Sequence, residues 1–335
     1  MAANGRNARI VSLGMSVPEK IMTNADFEKL VDTTDEWIVQ MTGMKERHYL
    51  SDEEATSDLA SRAAAEALER AGVDAADVDM VLVATATPDM LFPSTACLTQ
   101  HKIGAKNAFA FDIGAGCSGF VYGTVVASQF IRAGGAETAL VIGAESLTRF
   151  TDMTDRSTCV LFGDAAGAAV MQVCDPEVGL VDHYIQSDGK LSSLLTCPAG
   201  GSRTPASHET VDARDHTIHM IGNKVYVNAV RAMSDSVMKV LEQQGLSGDD
   251  LDILFPHQAN IRIITSVAER AGMPMDKVYV NIHKYGNTSA ASIPLAMYEA
   301  VEDGSLEDGM LAGTVAFGAG FTWGSTLWRW GAGDR

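Results

Sequence analysis

The sequence predicts a layered α/β protein built from two related halves. Apolar runs rich in β-branched residues alternate with alanine-rich stretches of helical character along the 335 residues, which is the pattern of α/β folds. No Pro/Ser-rich linker or low-complexity run divides the chain. One segment of the first half recurs in the second half, which indicates that the same structural unit is used twice.

The repeat is clearest where a helix ends on a glycine and an acidic turn leads into an apolar strand. Residues 68–82 read LERAGVDAADVDMVL and residues 241–255 read LEQQGLSGDDLDILF, an offset of 173 positions. Glycine is common just past a helix end, because it adopts the left-handed conformation without strain. We therefore divide the chain into halves of residues 1–178 and 179–335.

Two further matches lie near the same offset. Residues 138–144 (TALVIGA) resemble residues 313–319 (GTVAFGA), and both predict a buried strand. The strand, turn and helix around Cys117 resemble residues 278–291, which makes Asn287 the expected counterpart of Cys117. If a pseudo-twofold axis relates the halves, two equivalent helix starts bring these side chains to one pocket.

Cys117 follows a predicted strand and a glycine turn in the run FDIGAGCSGF of residues 111–120. The turn restarts as a helix, so the thiol is predicted to lie at a helix N-terminus. Free N–H groups and the helix dipole favour a thiolate there and lower a cysteine pKa from its free value of roughly 8.5. Four other cysteines lack such a turn and are expected to be small core residues: Cys97, Cys159, Cys174 and Cys197.

His257 comes directly after the apolar strand of the second repeat unit, in the run FPHQAN of residues 255–260. Open α/β sheets bind ligands at the carboxyl ends of their strands. A single histidine is more often a core residue, but here a candidate nucleophile and a strand-end asparagine occupy related positions. We therefore predict that His257 shares a site with Cys117 and Asn287.

Composition excludes several other classes of protein. The formal net charge of −18 argues against a surface for nucleic acid or for anionic lipid. No stretch reaches the roughly eighteen apolar residues of a membrane span, and the sequence begins without a signal-peptide pattern. Five cysteines without C-x-x-C spacing fit a reducing compartment, with neither disulfides nor structural zinc. The expected location is the cytoplasm.

The chain as a whole resembles the β-ketoacyl-acyl-carrier-protein synthase III family of the thiolase superfamily. The stretches that carry the resemblance are DEWIV (35–39) with TG (42–43), GCSGF (116–120), DRST (155–158), FGDAAGA (162–168), PHQANIR (256–262), YGNTSAAS (285–292) and FGAGFTWG (317–324). The resemblance implies a thiolase-like fold in a duplicated, five-layered αβαβα arrangement, a homodimer, and a catalytic triad of Cys117, His257 and Asn287.

The reaction implied by the resemblance is the decarboxylative Claisen condensation that initiates fatty acid biosynthesis. Cys117 would take an acetyl or other short acyl group from acyl-CoA, since exchange between thioesters is nearly isoenergetic. Malonyl-ACP would lose CO2, and His257 and Asn287 would donate hydrogen bonds to the enolate oxygen. The backbone N–H groups of Cys117 and Ala319, where relatives often have glycine, would form the oxyanion hole. No cofactor or metal is implied.

Binding residues are also implied by the resemblance. Trp37 and Arg156 would sandwich the adenine of CoA, and Asn223 and Asn260 would hydrogen-bond its pantetheine arm. Met41 stands where many relatives have an arginine near the nucleotide phosphates. The acidic acyl carrier protein would dock on the segment after the catalytic histidine, with contacts from Gln258, Ala259, Asn260, Ile261 and above all Arg262.

The acyl pocket implied by the resemblance combines residues from two subunits. Phe92 would reach across the dimer interface to floor the pocket. The remaining lining would come from Leu147, Phe162 and Phe317.

Three alternatives stay open on the sequence alone. Cys, His and Asn occur in this chain order in papain-like proteases, although those enzymes place the cysteine near the mature N-terminus with an aromatic residue after it. A catalytically silent binding module of the same fold is expected to lack one of the three side chains, and none is missing. Within the family, the alternative is a condensing enzyme or acyltransferase that loads an unusual starter in secondary metabolism.

Overall fold

The computed structural model describes residues 5–331, which form two main β-sheets and three helical layers. The strands are β1 (Asn7–Ser16), β2 (Lys20–Thr23), β3 (Glu46–Tyr49), β4 (Met80–Ala84), β5 (Phe109–Ile113), β6 (Thr138–Ser146), β7 (Asp164–Cys174), β8 (Gly179–Ser187), β9 (Leu195–Thr196), β10 (His219–Met220), β11 (Ile253–Pro256), β12 (Leu311–Gly318) and β13 (Thr322–Arg329). The helices are α1 (Asn24–Phe27), α2 (Asp35–Thr42), α3 (Thr56–Ala71), α4 (Thr95–Ile103), α5 (Gly119–Arg132), α6 (Arg156–Cys159), α7 (His208–Asp212), α8 (Gly222–Gln243), α9 (Ile261–Arg270), α10 (Ile282–Tyr285) and α11 (Ser292–Glu302).

The first sheet has the strand order β1-β7-β6-β4-β5. Strand β4 runs parallel to β5 and β6, whereas β7 runs antiparallel to both β6 and β1. Every residue of β4 and β6 is buried, as expected for central strands that helices cover on both faces. This burial explains why both strands are almost continuous runs of apolar and small residues.

The second sheet repeats this topology with the order β11-β12-β13-β8. Strand β12 is parallel to β11 and antiparallel to β13, and β13 is antiparallel to β8. A single parallel bridge from Leu254 to Val278 stands where the first sheet has β5. The first sheet uses strands between Asn7 and Cys174, and the second uses strands between Gly179 and Arg329.

Helices α5 and α11 lie between the two sheets and form the central layer. The largest core cluster joins their apolar side chains to both sheets, and it includes the fully buried Phe120, Phe255 and Trp328. Helix α3, with α4, covers the outer face of the first sheet, and α8, with α9, covers the outer face of the second. The predicted five-layered αβαβα arrangement is confirmed, and the two halves share one core.

The structure corrects the expected pairing of Cys117 with Asn287. A short 3₁₀ turn at Gly116–Ser118 leads into α5, and an equivalent turn at Ser289–Ala291 leads into α11. The offset of 173 that relates these turns makes Ala290 the counterpart of Cys117. Asn287 lies three residues earlier, because helix α10 and the segment after it replace the simple turn of the first half.

The second strand match was also shifted. Strand β6 begins at Thr138 and β12 begins at Leu311, again an offset of 173. The sequence match pairs residue 138 with residue 313, which is two positions further along. A shift of two residues keeps every side chain on the same face of a strand. Because every residue of both strands is buried, the shifted alignment still predicts a buried strand.

The cysteines only partly occupy the predicted core positions. Cys159 is buried and Cys174 is half-buried, but Cys97 and Cys197 are exposed, so the expectation that all four are core residues is wrong. All five cysteines are unpaired. Within residues 5–331, no helix combines the length and the apolar character needed to cross a bilayer.

Candidate active site

A cavity of about 490 Å³ contains the three side chains proposed as catalytic. Cys117 reaches it from the turn before α5, His257 from the residue after β11, and Asn287 from the segment before α11. The cavity thus lies where a strand end of one half faces helix starts of both halves. A polar cleft of similar size beside Arg214 has no cysteine in its wall.

Two glycines allow two backbone segments to pack closely at Cys117. A methyl group added at Gly318 would lie 2.6 Å from the Cys117 nitrogen, and one added at Gly116, whose φ is +51°, would lie 2.8 Å from the Ala319 nitrogen. Such distances leave no room for a Cβ atom. The strand end at β12 therefore packs directly on the nucleophile turn, which brings the N–H groups of Cys117 and Ala319 into one small region.

Cys117 is a protonated thiol in the free protein at neutral pH. Burial raises its pKa to about 11, and the nearby carboxylate of Glu145 acts in the same direction. The expectation that a helix N-terminus lowers this pKa is wrong, because desolvation of a thiolate outweighs the favourable backbone dipoles. A reaction at this sulfur consequently has to remove a proton first.

His257 is a neutral imidazole held in one orientation. It is 3 % exposed, and burial lowers its pKa to about 3. Its backbone N–H donates to the Val315 carbonyl (2.7 Å), and its Nδ1 lies 2.7 Å from the Ser292 hydroxyl. Because the Gln258 N–H already donates to that hydroxyl (3.3 Å), the Ser292 proton is available for Nδ1, which leaves Nε2 as an N–H donor.

Asn287 is also oriented as a donor. Its side-chain Oδ1 accepts the Ser289 N–H at 2.9 Å, so the amide NH2 group is the part left for the cavity. Its backbone is fixed on both sides, since its N–H donates to the Leu161 carbonyl and its carbonyl accepts from Gly163. The site therefore presents two neutral N–H donors, from His257 and Asn287, beside a thiol.

Trp37 and Arg156 lie together but leave no gap between them. The Arg156 guanidinium is 4.5 Å from the centre of the Trp37 ring, and it also donates to the Asp32 carbonyl at 2.9 Å. An adenine between the two groups needs a gap of about 7 Å, twice an ordinary contact distance. The predicted sandwich therefore requires Arg156 to move away from the indole.

Met41 has a direct contact with a cation. The Arg262 guanidinium approaches the Met41 sulfur at 3.9 Å and lies 5.5 Å from the centre of the Tyr226 ring. Asn260 caps helix α9 with its Oδ1 and donates its amide to the Met41 carbonyl at 2.8 Å. Arg262 thus supplies a positive charge at the cavity wall beside Met41.

The predicted docking and tunnel residues fall into two groups. Residues that line the cavity are Trp37, Met41, Asn223, Ala259, Asn260 and Arg262. Gln258 is 1 % exposed, and its amide is bonded to the Pro256 and Tyr279 carbonyls and to the Asn281 N–H. A contact from the Gln258 side chain to a docked carrier is therefore excluded. Ile261 is partly buried and packs against Gly43.

Only some of the predicted acyl-pocket residues line the cavity. Phe162 and Phe317 line the cavity. Leu147 is buried and does not line this cavity, so its place in an acyl pocket stays a prediction. Phe92 is 83 % exposed beside the equally exposed Leu91, which leaves it free for a contact with a second copy, and its role stays a prediction.

Three polar residues of the site were missed at the sequence level. Ser292 contacts His257, Ser289 contacts Asn287, and Glu145 accepts a hydrogen bond from Ser289 at 2.8 Å. A signal for Glu145 was present, because it is a charged residue within a strand of apolar and small residues, and an unpaired charge there is costly. The serines lie in the matched stretch 285–292, but their partners are remote in sequence.

Comparison with known proteins assigns the family. Models of β-ketoacyl-ACP synthase III match residues 111–189 and, for its C-terminal part, residues 241–330. The chain is 51 % identical to a β-ketoacyl-ACP synthase III from Caldanaerobacter subterraneus, over 96 % of this chain and 98 % of the relative. It is 50 % identical to a β-ketoacyl-ACP synthase III from Clostridioides difficile, over 96 % and 98 %.

A solved structure agrees with these relatives. The 3-oxoacyl-ACP synthase III from Aquifex aeolicus superposes with a TM-score of 0.89 at 42 % identity, covering 96 % of this chain and all of that one. The duplicated fold rules out the papain-like alternative, and the presence of all three site residues argues against a silent module. The chain belongs to the β-ketoacyl-acyl-carrier-protein synthase III family, the condensing acyltransferases of fatty acid biosynthesis.

Proposed function

We propose that this cavity catalyses the condensation of a short acyl group from acyl-CoA with malonyl-ACP, giving 3-oxoacyl-ACP, CoA and CO2. The observation that carries the proposal is the meeting of one thiol and two neutral N–H donors, from Cys117, His257 and Asn287, in one cavity. Each of these groups has a separate task in such a reaction.

Acyl capture is assigned to Cys117. Its sulfur, once deprotonated, attacks the acyl carbonyl carbon, a new C–S bond forms, and the CoA sulfur leaves with the electron pair of the bond that breaks. The oxyanion of the tetrahedral intermediate is held by the N–H groups of Cys117 and Ala319, which the packing of Gly318 and Gly116 brings close together.

Carbon–carbon bond formation is assigned to His257 and Asn287. Loss of CO2 from the malonyl thioester leaves an enolate, whose oxygen accepts hydrogen bonds from His257 Nε2–H and the Asn287 amide. Neutral donors suit this task. A positively charged imidazolium would transfer its proton to the enolate, or would bind the enolate too tightly for the enolate to react. The enolate carbon attacks the acyl-enzyme, and the Cys117 thiolate leaves.

The substrates are recognised at the cavity mouth. Trp37 and Arg156 are proposed to bind the CoA adenine after their stack opens, and Asn223 and Asn260 to contact the pantetheine arm. Arg262 is proposed to meet an acidic acyl carrier protein, with Ala259, Asn260 and Ile261 at the edge of this contact. Exposed Leu91 and Phe92 are proposed to pack against a second copy in a homodimer.

The proposed chemistry needs no cofactor, because both substrates enter as activated thioesters. Five unpaired cysteines support a location in the reducing cytoplasm. The contact of Met41 with Arg262 supplies a cation beside Met41, which favours CoA as the carrier of the acyl group; a condensing enzyme or acyltransferase for an unusual starter stays the alternative.

The test is to follow acyl loading and decarboxylation separately. Cys117→Ala is expected to abolish acyl loading from acyl-CoA and to retain CO2 release from malonyl-ACP, while His257→Ala and Asn287→Ala retain loading and lose CO2 release. Loss of both half-reactions in all three variants would contradict the assignment of separate tasks.

A further inference from the structure

Asn287 is oriented by a serine whose backbone is strained. The Ser289 N–H donates to Asn287 Oδ1 at 2.9 Å, and Ser289 has a φ of +49°. Residues other than glycine rarely adopt this left-handed conformation, because the Cβ atom crowds the following carbonyl oxygen. Such strain persists only where the surrounding structure enforces it. A contact that holds Ser289 in this conformation is therefore required.

The two halves of the chain build this position from different residues. With the offset of 173, the counterpart of Ser289 is Gly116, whose φ is +51°, and the counterpart of Glu145 is Gly318. In the first half, the turn packs on the end of the neighbouring strand through these two glycines, and no room is left for a Cβ atom. In the second half, a serine and a glutamate occupy the same two positions.

The Ser289 hydroxyl is anchored to Glu145, a completely buried residue near the end of β6. This hydroxyl donates to Glu145 Oε1 at 2.8 Å. The other carboxylate oxygen accepts from the Thr87 hydroxyl at 2.7 Å and from the Ala86 N–H at 3.1 Å. Because both oxygens are hydrogen-bonded, the carboxylate cannot turn freely. Glu145 does not line the cavity, so it fixes the turn without contact with the substrates.

The peptide between Thr288 and Ser289 is the part of this turn that can rotate. The backbone of Asn287 is hydrogen-bonded on both sides. After Ser289, the Ala290 carbonyl packs directly on Gly143 of β6, where an added methyl group would lie 2.1 Å from it. Since both flanks are fixed, a change of φ at Ser289 to the usual negative range rotates this peptide, and its N–H then turns away from Asn287.

The orientation of the Asn287 amide decides which group it offers to the cavity. While Oδ1 accepts the Ser289 N–H, the NH2 group is left for the cavity and can donate to an enolate oxygen. Without that N–H, the amide is free to turn by 180° and to present its carbonyl oxygen, which repels an enolate. The conformation of Ser289 therefore determines whether Asn287 acts as a donor.

We propose that Glu145 is a positioning residue for Asn287. Through the hydroxyl of Ser289, it holds the left-handed turn that keeps the Asn287 NH2 group toward the enolate. This inference rests on the role of enolate donor proposed above for Asn287. The difference between the two halves agrees with it, because the turn at Cys117 presents backbone N–H groups, whereas the turn after Asn287 has to orient a side chain.

The experiment uses the ability of glycine to hold a positive φ without an anchor. Ser289→Ala removes the anchoring hydroxyl and keeps the strain, whereas Ser289→Gly removes both. Glu145→Leu removes the acceptor and keeps a side chain of similar size, and it is combined with Ser289→Gly in a double variant. Ser128→Ala is the matched control, because Ser128 is an equally buried serine whose hydroxyl donates to the Val125 carbonyl of its own helix.

Two half-reactions are measured for each variant. The first is CO2 release from malonyl-ACP, recorded as kcat and KM, which depends on the Asn287 donor. The second is CoA release in a single round of acyl loading, which does not require this donor. A residue that only supports the fold of the cavity would affect both half-reactions.

Ser289→Ala and Glu145→Leu are each expected to lower kcat for CO2 release by about tenfold, the factor by which a left-handed conformation is disfavoured for a residue with a Cβ atom. The KM for malonyl-ACP and the rate of acyl loading should change little, because the lost interaction is made to the enolate. Ser289→Gly is expected to recover most of the lost kcat relative to Ser289→Ala, and to recover it in the Glu145→Leu background as well. Ser128→Ala should behave as the unaltered protein.

Three results would overturn the proposal. One is a kcat for CO2 release in Ser289→Ala equal to that of the unaltered protein. The second is a kcat in Ser289→Gly as low as in Ser289→Ala, which would show that the hydroxyl does not act through the backbone. The third is an equal loss of acyl loading and CO2 release. If Glu145→Leu does not fold, the two Ser289 variants alone decide the proposal.

Failure of the proposed function itself gives a different result. In that case the unaltered protein releases no CO2 from malonyl-ACP, or Asn287→Ala releases it at the unaltered rate. Neither result depends on a substitution at Ser289 or Glu145, so the two failures are distinguishable.

Discussion

The Nδ1 atom of His257 lies 2.7 Å from the Ser292 hydroxyl, at the first residue of helix α11. This contact fixes which ring nitrogen faces the cavity, because the Ser292 hydroxyl also accepts the Gln258 N–H and can give its own proton to Nδ1. The first turn of one helix thereby determines the tautomer of a histidine at the end of a neighbouring strand.

Removal of the Ser292 hydroxyl is therefore expected to impair the enolate step and to spare acyl loading. In Ser292→Ala, His257 is free to take the other tautomer. The rate of CO2 release from malonyl-ACP should fall about five- to tenfold, which corresponds to the loss of a hydrogen bond worth about 1 kcal/mol. Ser305→Ala, at an exposed serine just after α11, is the control, and an unchanged rate in Ser292→Ala would contradict the role of this contact.

Trp37 is expected to act on CoA and not on the acyl group. Trp37→Ala should raise the KM for acyl-CoA about tenfold, since a stacked base is worth about 1–3 kcal/mol. The KM for acyl-pantetheine, which lacks the nucleotide, should not change. Equal rises for both substrates would show that the indole supports the fold of the cavity mouth and does not bind adenine.

Two buried groups make the stability of the protein depend on pH in opposite directions. The pKa of Glu145 is raised from 4.5 to about 7, so the folded protein holds a proton that the unfolded chain loses between these values. The contribution of Glu145 to stability is complete below pH 4.5 and is lost as the pH rises through 7. The free energy of unfolding changes by roughly 3 kcal/mol over this range. The pKa of His257 is lowered from 6.5 to about 3, so its contribution is complete above pH 6.5 and is lost as the pH falls.

In Glu145→Gln, the pH dependence of stability should reflect His257 without the opposing contribution of Glu145. Between pH 5 and 7 the two slopes oppose each other in the unaltered protein, whereas the free energy of unfolding of the variant should rise steadily with pH up to about 6.5. Urea unfolding at pH 5, 6, 7 and 8 measures both curves. Parallel curves for the two proteins would contradict the raised pKa of Glu145.

Arg47 is expected to stabilise the packing of helix α1 against the segment after α6. Its side chain is completely buried, donates to the Val160 carbonyl and to Asn24, and lies 4.9 Å from the centre of the Phe27 ring. Arg47→Ala leaves these acceptors unpaired and creates a cavity, so the free energy of unfolding should fall by about 3–5 kcal/mol. A loss below about 1 kcal/mol in urea unfolding would contradict this role.

The sequence predicted the layers and the three side chains that meet in the cavity, because both follow from local patterns. Buried strands such as β6 and glycine-terminated helices leave a signature in consecutive residues, and an offset of 173 exposed the duplication. The pairing of Cys117 with Asn287 failed because α10 changes the path of the chain just before the second turn. The sequence repeat located the two turns, but it did not show which side chains the turns place in equivalent positions.

The chemistry of the site depended on contacts that no local pattern records. The pKa of Cys117 follows from burial, which reverses the expectation from the helix start. From its place beside His257, Gln258 is predicted to contact the carrier protein. Its side chain is instead hydrogen-bonded to backbone groups within the core. Glu145 and Ser289 are 144 positions apart, so only the folded chain shows that they meet.

Acyl transfer to Cys117 is the first step of the proposed reaction and its central claim. The most direct measurement is the intact mass of the protein after incubation with a panel of short acyl-CoA compounds, followed by location of the adduct by peptide mapping. We expect one acyl group per chain on Cys117 and none in Cys117→Ala. An unmodified protein with every acyl-CoA, or an adduct that persists in Cys117→Ala, would contradict the account.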